Sequence, residues 1–451
     1  ISREPYIETA ASYKKVPNGI STLSHVDDGV KSTLLRLVEA NVGIFSSPFK
    51  HQVDALEAYA SGKDLFVSTG TGSGKTECFL WPIMAKCIGE ARNHPKTFKQ
   101  NAVRTLIVYP MNALVSDQLA RFRRIMGSEE FMRIFTEDTH ANRIPHFGMY
   151  TGRTAYAGEA KSDKSKKLAL AYRGRFLVDE TADEPTKQKQ MVRINGLKRI
   201  NKYPARYGSD GVERFIENLE RNEHEPLPYD AELITRFEMV NCPPDILVTN
   251  YSMLEYMLMR KREGQIWEET KIWLHESSDN KLLIVLDEAH MYRGSAGGEI
   301  ALLLDRMLDR LDITIDQTQF ILTTASMPDD EKARNDFYYG LTGKSSNSCT
   351  FLTGEKEPLP ETGLVPTNTA ALASIGTTQI YGEEATKRIC NFAEIVFGIS
   401  LPENTTLSEA QEWLYDNLPR YQAFVDLNRE CRRGATAYSS LVSTIFSNEP
   451  E

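Results

Sequence analysis

A buried strand, a glycine-rich loop and an apolar helix follow one another between Asp64 and Glu90. That order constrains the fold more than any other stretch of the chain. Asp64-Leu65-Phe66-Val67-Ser68 reads as the strand, and Glu77 to Glu90 as the helix. Between them lie Thr69, Gly70, Thr71, Gly72, Ser73, Gly74, Lys75 and Thr76. Glycines let backbone N–H groups converge on an anion, and the following helix adds the positive end of its dipole. The strand-to-helix setting makes this a phosphate-binding loop. Lys75 is spaced to reach β- and γ-phosphates, and the Thr76 hydroxyl to bind Mg²⁺. Thr69 stands where the strictest form of the pattern has glycine.

A chain of 451 residues exceeds one ordinary domain, so two or three units are expected. A formal charge of −9 argues against a uniformly basic coat but leaves room for a local basic groove. Cys78, Cys87, Cys242, Cys349, Cys390 and Cys431 are scattered without a C-x-x-C pair. That spacing disfavours a zinc or iron–sulfur site and suits a reduced, cytoplasmic setting. Apolar runs fall short of membrane-spanning length, so no membrane is expected as a partner. A chain that opens on Ile1 and closes on Ser447–Glu451 reads as a piece of a longer protein.

From about Pro48 to Gly343, short apolar strands alternate with amphipathic helices. The clearest strands are Leu65–Val67, Thr105–Tyr109, Ile246–Thr249, Leu282–Leu286 and Phe320–Thr323. A helix such as Gly298–Leu311 carries its apolar residues at 300, 303, 304, 307, 308 and 311. Such alternation predicts an α/β fold, a doubly wound parallel sheet with ligands at the carboxyl ends of its strands. Residues 1–47 form an N-terminal extension with a helix from Ser24 to Asn41. Residues 346–451 form a connector and a mostly helical segment, with Ser408-Glu409-Ala410-Gln411 as a capping box and Pro419 starting or kinking the next element. Roughly Thr154 to Arg236 interrupts the alternation; it is polar, weakly periodic and basic, with lysines and arginines running from Lys161 to Arg206. Two readings of this insertion stay open, a mobile solvated loop and an arm on a nucleic-acid backbone.

A second signal lies far downstream. Leu282–Leu286 ends in Asp287-Glu288-Ala289-His290, placing two acids at a strand terminus. Asp287 can hold the Mg²⁺, and Glu288 can orient or deprotonate the water that attacks a γ-phosphate. His290 is placed to couple the nucleotide to the segment near Thr324. Upstream, the Gln52 amide offers a donor and an acceptor that match an adenine edge, with Phe45 or Phe49 available to stack on it.

Together these segments resemble the first motor domain of a superfamily 2 DExH (DEAD/DEAH-box) helicase, over roughly residues 48–345. Gln52 resembles the Q motif, Thr69–Thr76 motif I, Tyr109–Gln118 motif Ia, Thr249–Leu254 motif Ib, and Asp287–His290 motif II. Thr324-Ala325-Ser326 takes the place of motif III, usually Ser-Ala-Thr, and keeps two hydroxyls at Thr324 and Ser326. The Pro-Met-Asn-Ala-Leu and Asn-Tyr-x-Met-Leu forms narrow the resemblance to Lhr-like and MrfA-like DNA helicases and the large helicases of anti-phage systems such as Druantia and DISARM.

The resemblance implies a RecA-like, P-loop NTPase fold that binds ATP with Mg²⁺. Asn112, Ser116, Arg153, Thr249 and Asn250 are then candidates for holding one strand by its backbone. It also implies a second motor domain supplying an arginine finger, and nothing after Ser345 resembles one. The expected function is an ATP-dependent translocase or helicase, DNA favoured over RNA, in phage defence or repair, with other defence proteins as partners. An RNA helicase and an ATP-gated scaffold are the alternatives.

Overall fold

A computed structural model describes residues 5–7, 12–70, 72–155, 161–327, 330–367, 384–402, 404–432 and 435–445. The chain divides into two compact units, residues 15–354 and residues 1–14 with 355–451.

The larger unit is built on an eight-stranded sheet. Its strands are β1 (Asp64–Ser68), β2 (Thr105–Tyr109), β3 (Phe147–Tyr150), β4 (Glu232–Leu233), β5 (Ile246–Asn250), β6 (Leu282–Leu286), β7 (Thr318–Thr324) and β8 (Cys349–Thr353). They lie in the order β4-β3-β5-β2-β6-β7-β1-β8, and every pairing is parallel. The inner strands β2 and β6 are buried on both faces, which is why they read as unbroken apolar runs. Alternate residues feed opposite cores. Leu65, Val67, Ile107, Leu283 and Val285 join one cluster with Val30, Leu34 and Phe79. Phe66, Leu106, Val108, Ile284 and Leu286 join the other with Leu254, Trp267 and Ile300. Helices therefore cover both faces, giving the doubly wound α/β fold. The strand ending in the phosphate loop and the strand ending in the acids are not neighbours, because β7 lies between them.

The observed division differs from the expected boundaries. Helix Asp28–Glu39 does not stand apart as an extension, because Val30, Leu34 and Leu37 are buried in the main core. Strand β8 lies beyond residue 345 yet pairs with β1 along its length. The insertion also departs from a structureless loop. It contains helices Ser162–Phe176, Glu184–Arg199 and Gly211–Glu220, with a small core around Ala169, Phe176, Phe215 and Ile216. Its Glu232 N–H donates to the Ala205 carbonyl at 3.0 Å, so the insertion covers edge strand β4.

In the smaller unit, Tyr6–Ile7 pairs antiparallel with Thr436–Ala437, and Phe392, Phe397, Trp413 and Tyr421 pack edge-on. Its helix Leu407–Asn417 is capped by Thr406 with Glu409, two residues earlier than the expected Ser408 cap. Thr406 reaches the Glu409 amide with its own hydroxyl, a bond that Ser408, already inside the helix, cannot make. Pro419 sits in a short 3₁₀ turn, Leu418–Arg420.

Candidate nucleotide-binding site

The loop after β1 depends on its glycines. Gly72 and Gly74 have φ of 78° and 74°, a region costly for residues with a side chain. A Cβ on Gly74 would lie 2.2 Å from the Gln52 amide nitrogen. The loop is pinned from several sides. Ser73 Oγ donates to Thr69 Oγ1 at 2.6 Å, and the Thr69 N–H donates to the Thr324 carbonyl at 3.3 Å. His51 Nε2 lies 2.9 Å from the Ser73 carbonyl oxygen. Thr71 lies outside the described residues.

Lys75 leaves this frame with its Nζ buried and without a hydrogen-bond partner among the described residues. A buried ammonium without an acceptor is costly, and most buried polar atoms are paired. The loop geometry and this orphaned cation fit the phosphates of a nucleotide. Thr76 precedes helix Glu77–Asn93 without a side-chain capping bond, and its hydroxyl oxygen lies 3.4 Å from Gln118 Nε2.

The acids stand at the end of β6. Asp287 is mostly buried, and its carboxylate accepts from the Glu288 N–H at 2.9 Å and from the Thr323 hydroxyl. Burial nevertheless pushes the Asp287 carboxyl above its ordinary range, against the pull of those two donors. A cation there would restore the charged form, so the position fits a metal ligand. Glu288 occupies the left-handed region, with φ 51° and ψ 46°, unusual for a residue with a side chain and typical of functional turns. His290 Nδ1 lies 3.3 Å from Glu288 Oε2 and 3.1 Å from Thr324 Oγ1. The Thr324 hydroxyl donates to the Ser326 carbonyl at 2.9 Å, leaving its oxygen to accept the Nδ1 proton on this assignment. Ser326 takes part through its backbone, and its N–H also reaches Thr324 Oγ1 at 3.2 Å.

The end of β7 is therefore a staple. Thr323 holds Asp287, Thr324 holds the phosphate loop through its carbonyl, and the Thr324 hydroxyl meets His290. Thr323 was not a sequence candidate, although it adjoins Thr324 and alternation along β7 points it to the other face. Arg121 was also missed, and Gln118 was named only as the end of motif Ia, with no contact assigned to it. Arg121 Nη1 reaches Glu77 Oε1 at 3.1 Å, so helix Asn112–Ile125 ties directly to the helix after the loop. Arg121 stands i+3 from Gln118, the last residue of motif Ia, and that spacing was the available signal.

Some candidates take other places. Gln52 is buried; its amide nitrogen donates to the Gly74 carbonyl at 3.2 Å, and its oxygen accepts from the Phe49 N–H at 2.9 Å. The amide is thus engaged in shaping the loop rather than presented to a base. Phe49 stacks on His51, 5.6 Å between ring centroids. Thr249 is fully buried and donates to the Tyr150 carbonyl at 2.7 Å. Asn250 caps helix Tyr251–Met259, accepting from the Met253 N–H at 2.8 Å. Both side chains shape the turn after β5. Arg153 is exposed, three residues beyond β3. The side chains of Asn112 and Ser116 lie outside the described residues.

Residues 49–156 match the family model of the DEAD/DEAH box helicases. Over its whole length the chain is 35% identical to Druantia protein DruE of Escherichia coli (strain UMEA 4076-1), of which it spans 25%. The chain thus covers about a quarter of that relative. Among solved structures, it is similar to the DUF1998 helicase MrfA bound to DNA, at 14% identity and a TM-score of 0.40, covering 95% of this chain and 48% of that one. It is also similar to Mycobacterium smegmatis helicase Lhr bound to ssDNA and AMP-PNP, at 16% identity and a TM-score of 0.40, covering 88% and 41%.

Proposed function

We propose, from a chain that carries a DEAD/DEAH-box helicase domain, that the complete protein is an ATP-driven motor acting on a DNA strand. One observation carries the ATP site: a buried, unpartnered Lys75 ammonium stands in a glycine loop that the acid strand's neighbour, β7, ties to Asp287 and His290. In this reading the loop amides and Lys75 hold the triphosphate. Mg²⁺, taken between Thr76 and Asp287, would supply neutralisation of the phosphate charge. Glu288 orients the attacking water and accepts its proton. His290 and Thr324 sense the state of that site and pass it to the β7 end.

Helix Asn112–Ile125 begins at the Met111 N-cap, and its first turn would face the strand backbone. The Gln118 and Arg121 contacts then link strand binding to the nucleotide. The 35% identical Druantia relative supports a place in bacterial phage defence. The scaffold reading is the weaker one, because an intact Lys75, Asp287 and Glu288 converge on one site.

The test is ATP turnover by the complete protein with single-stranded and duplex DNA and RNA. Stimulation by DNA is expected, and no response to any nucleic acid would sink the motor reading.

A further inference from the structure

The insertion forms one wall of a groove against the sheet edge. It encloses about 320 Å³ and is lined by Arg123, Arg153, Arg175, Lys202, Tyr172 and Glu232, among others. Arg123 and Glu232 neutralise each other through a two-pronged pair at 2.6 and 2.7 Å. Arg153, Arg175 and Lys202 form no ion pair among the described residues and surround the same space. With Glu232 engaged by Arg123, the three remaining cations repel one another, so the arrangement is suited to an incoming anion.

Other basic residues of the insertion are spent on acids. Arg206 is buried between Asp230 and Glu238, Arg173 pairs with Glu220 at 2.9 Å, and Lys187 pairs with Glu180 at 3.5 Å. Arg153 is held in place by a tight turn. The Thr151 N–H donates to Thr154 Oγ1 at 2.9 Å, and Arg236 Nη2 donates to the Thr151 carbonyl at 2.6 Å. Tyr172 packs edge-on against Phe176, 5.5 Å between centroids, which gives the groove an aromatic wall.

We propose that this groove binds backbone phosphates of a single nucleic-acid strand, with Arg153, Arg175 and Lys202 as the contacts and Tyr172 as a base-stacking surface. The inference rests on the motor reading above and extends the strand path beyond the helicase motifs onto the insertion. Continuity favours a strand over a small anion. Leu119 and Arg123 of helix Asn112–Ile125 line the groove, so a strand leaving that helix's first turn runs into it. Cations plus an aromatic face are the usual composition of sequence-tolerant strand sites.

The test uses the complete protein and fluorescein-labelled oligothymidylate, with affinity measured by anisotropy across a salt series. Each phosphate contact on a single strand contributes about 0.7 to the slope of log affinity against log salt. The double variant Arg175→Glu, Lys202→Glu is expected to lose about 1.4 of that slope and at least about tenfold in affinity at low salt. The conservative Arg175→Lys, Lys202→Arg variant should keep the slope. Arg173→Glu, on the same helix but outside the groove, should also keep it.

An unchanged slope in the double variant would overturn the groove while leaving the motor reading intact. So would an equal loss in Arg173→Glu, which would mark a general charge effect. Loss of polyglutamate binding with the oligothymidylate slope retained would overturn it in favour of an acidic protein partner. Absence of oligothymidylate binding by the unaltered protein would overturn both readings.

Discussion

Strand β2 has two ends that differ in kind. At its start, Arg104 is fully buried, yet its guanidinium reaches Glu90 at 2.7 and 2.9 Å, Asp245 at 2.7 Å, and three backbone carbonyls. Asp245 also accepts from Arg143 and from the His146 N–H. At its finish, the buried Tyr109 hydroxyl has no partner among the described residues, and neither do the Tyr292 hydroxyl and Lys75 Nζ. Burial, then the charge of Asp287, pushes the Tyr109 phenol well up. A satisfied buried network serves the fold, whereas one left open reserves its groups for a ligand. The amino edge of the sheet is scaffold and the carboxyl edge is site.

The largest expected effect tests whether the carboxyl edge is a half-site. The 451-residue chain alone should hydrolyse ATP about 10³–10⁵ more slowly than the complete protein, the usual contribution of an arginine finger. Steady-state turnover of both measures it, and equal rates would refute it. Next, Glu288→Gln in the complete protein should slow hydrolysis by about 10²–10⁴ while retaining nucleotide. Single-turnover kinetics with a fluorescent ATP analogue separate the two effects.

At the amino edge the expected loss is in stability. Asp245→Asn removes the acid that Arg143 pairs with and one of the two that hold Arg104, and should cost about 3–5 kcal/mol, read by urea unfolding. Nucleotide affinity of the folded fraction should be unchanged.

The same edge predicts a pH dependence. Burial first, then Arg143, pulls the His146 imidazole down to about 4, below the roughly 6.5 of an unfolded chain. A depressed folded value means the contribution is complete above pH ~6.5 and is lost as pH falls toward 4, on the order of 3 kcal/mol. Unfolding curves across that window should flatten in His146→Gln. The smallest effect is Lys75→Met, which removes an unpartnered charge. It should abolish nucleotide binding while leaving stability unchanged or raising it, because the buried charge it removes has no acceptor among the described residues. A large destabilisation would show that Lys75 serves the fold after all.

Legibility followed the range of the interactions. Thr105–Tyr109 and Leu282–Leu286 were readable to the residue, because strands buried on both faces need continuous apolar runs. The insertion's helices were not, since Ser162–Phe176 and Glu184–Arg199 each bury only a few side chains and show little apolar stripe. Gln52 was recognised but its job was not, because the amide's partners lie in the loop it shapes.

What the sequence determined alone was local. The glycines at 72 and 74 fix the loop's backbone, and the strand runs fix where Lys75, Asp287 and Glu288 emerge, because both depend on neighbouring residues. Only the tertiary structure placed β7 between β1 and β6, so that Thr323 and Thr324 join loop, acids and His290. It alone buried Arg206 between two acids while leaving Arg175 and Lys202 facing a groove. A charge's role depends on what packs beside it, and parallel strand order and helix docking bring those neighbours from far along the chain.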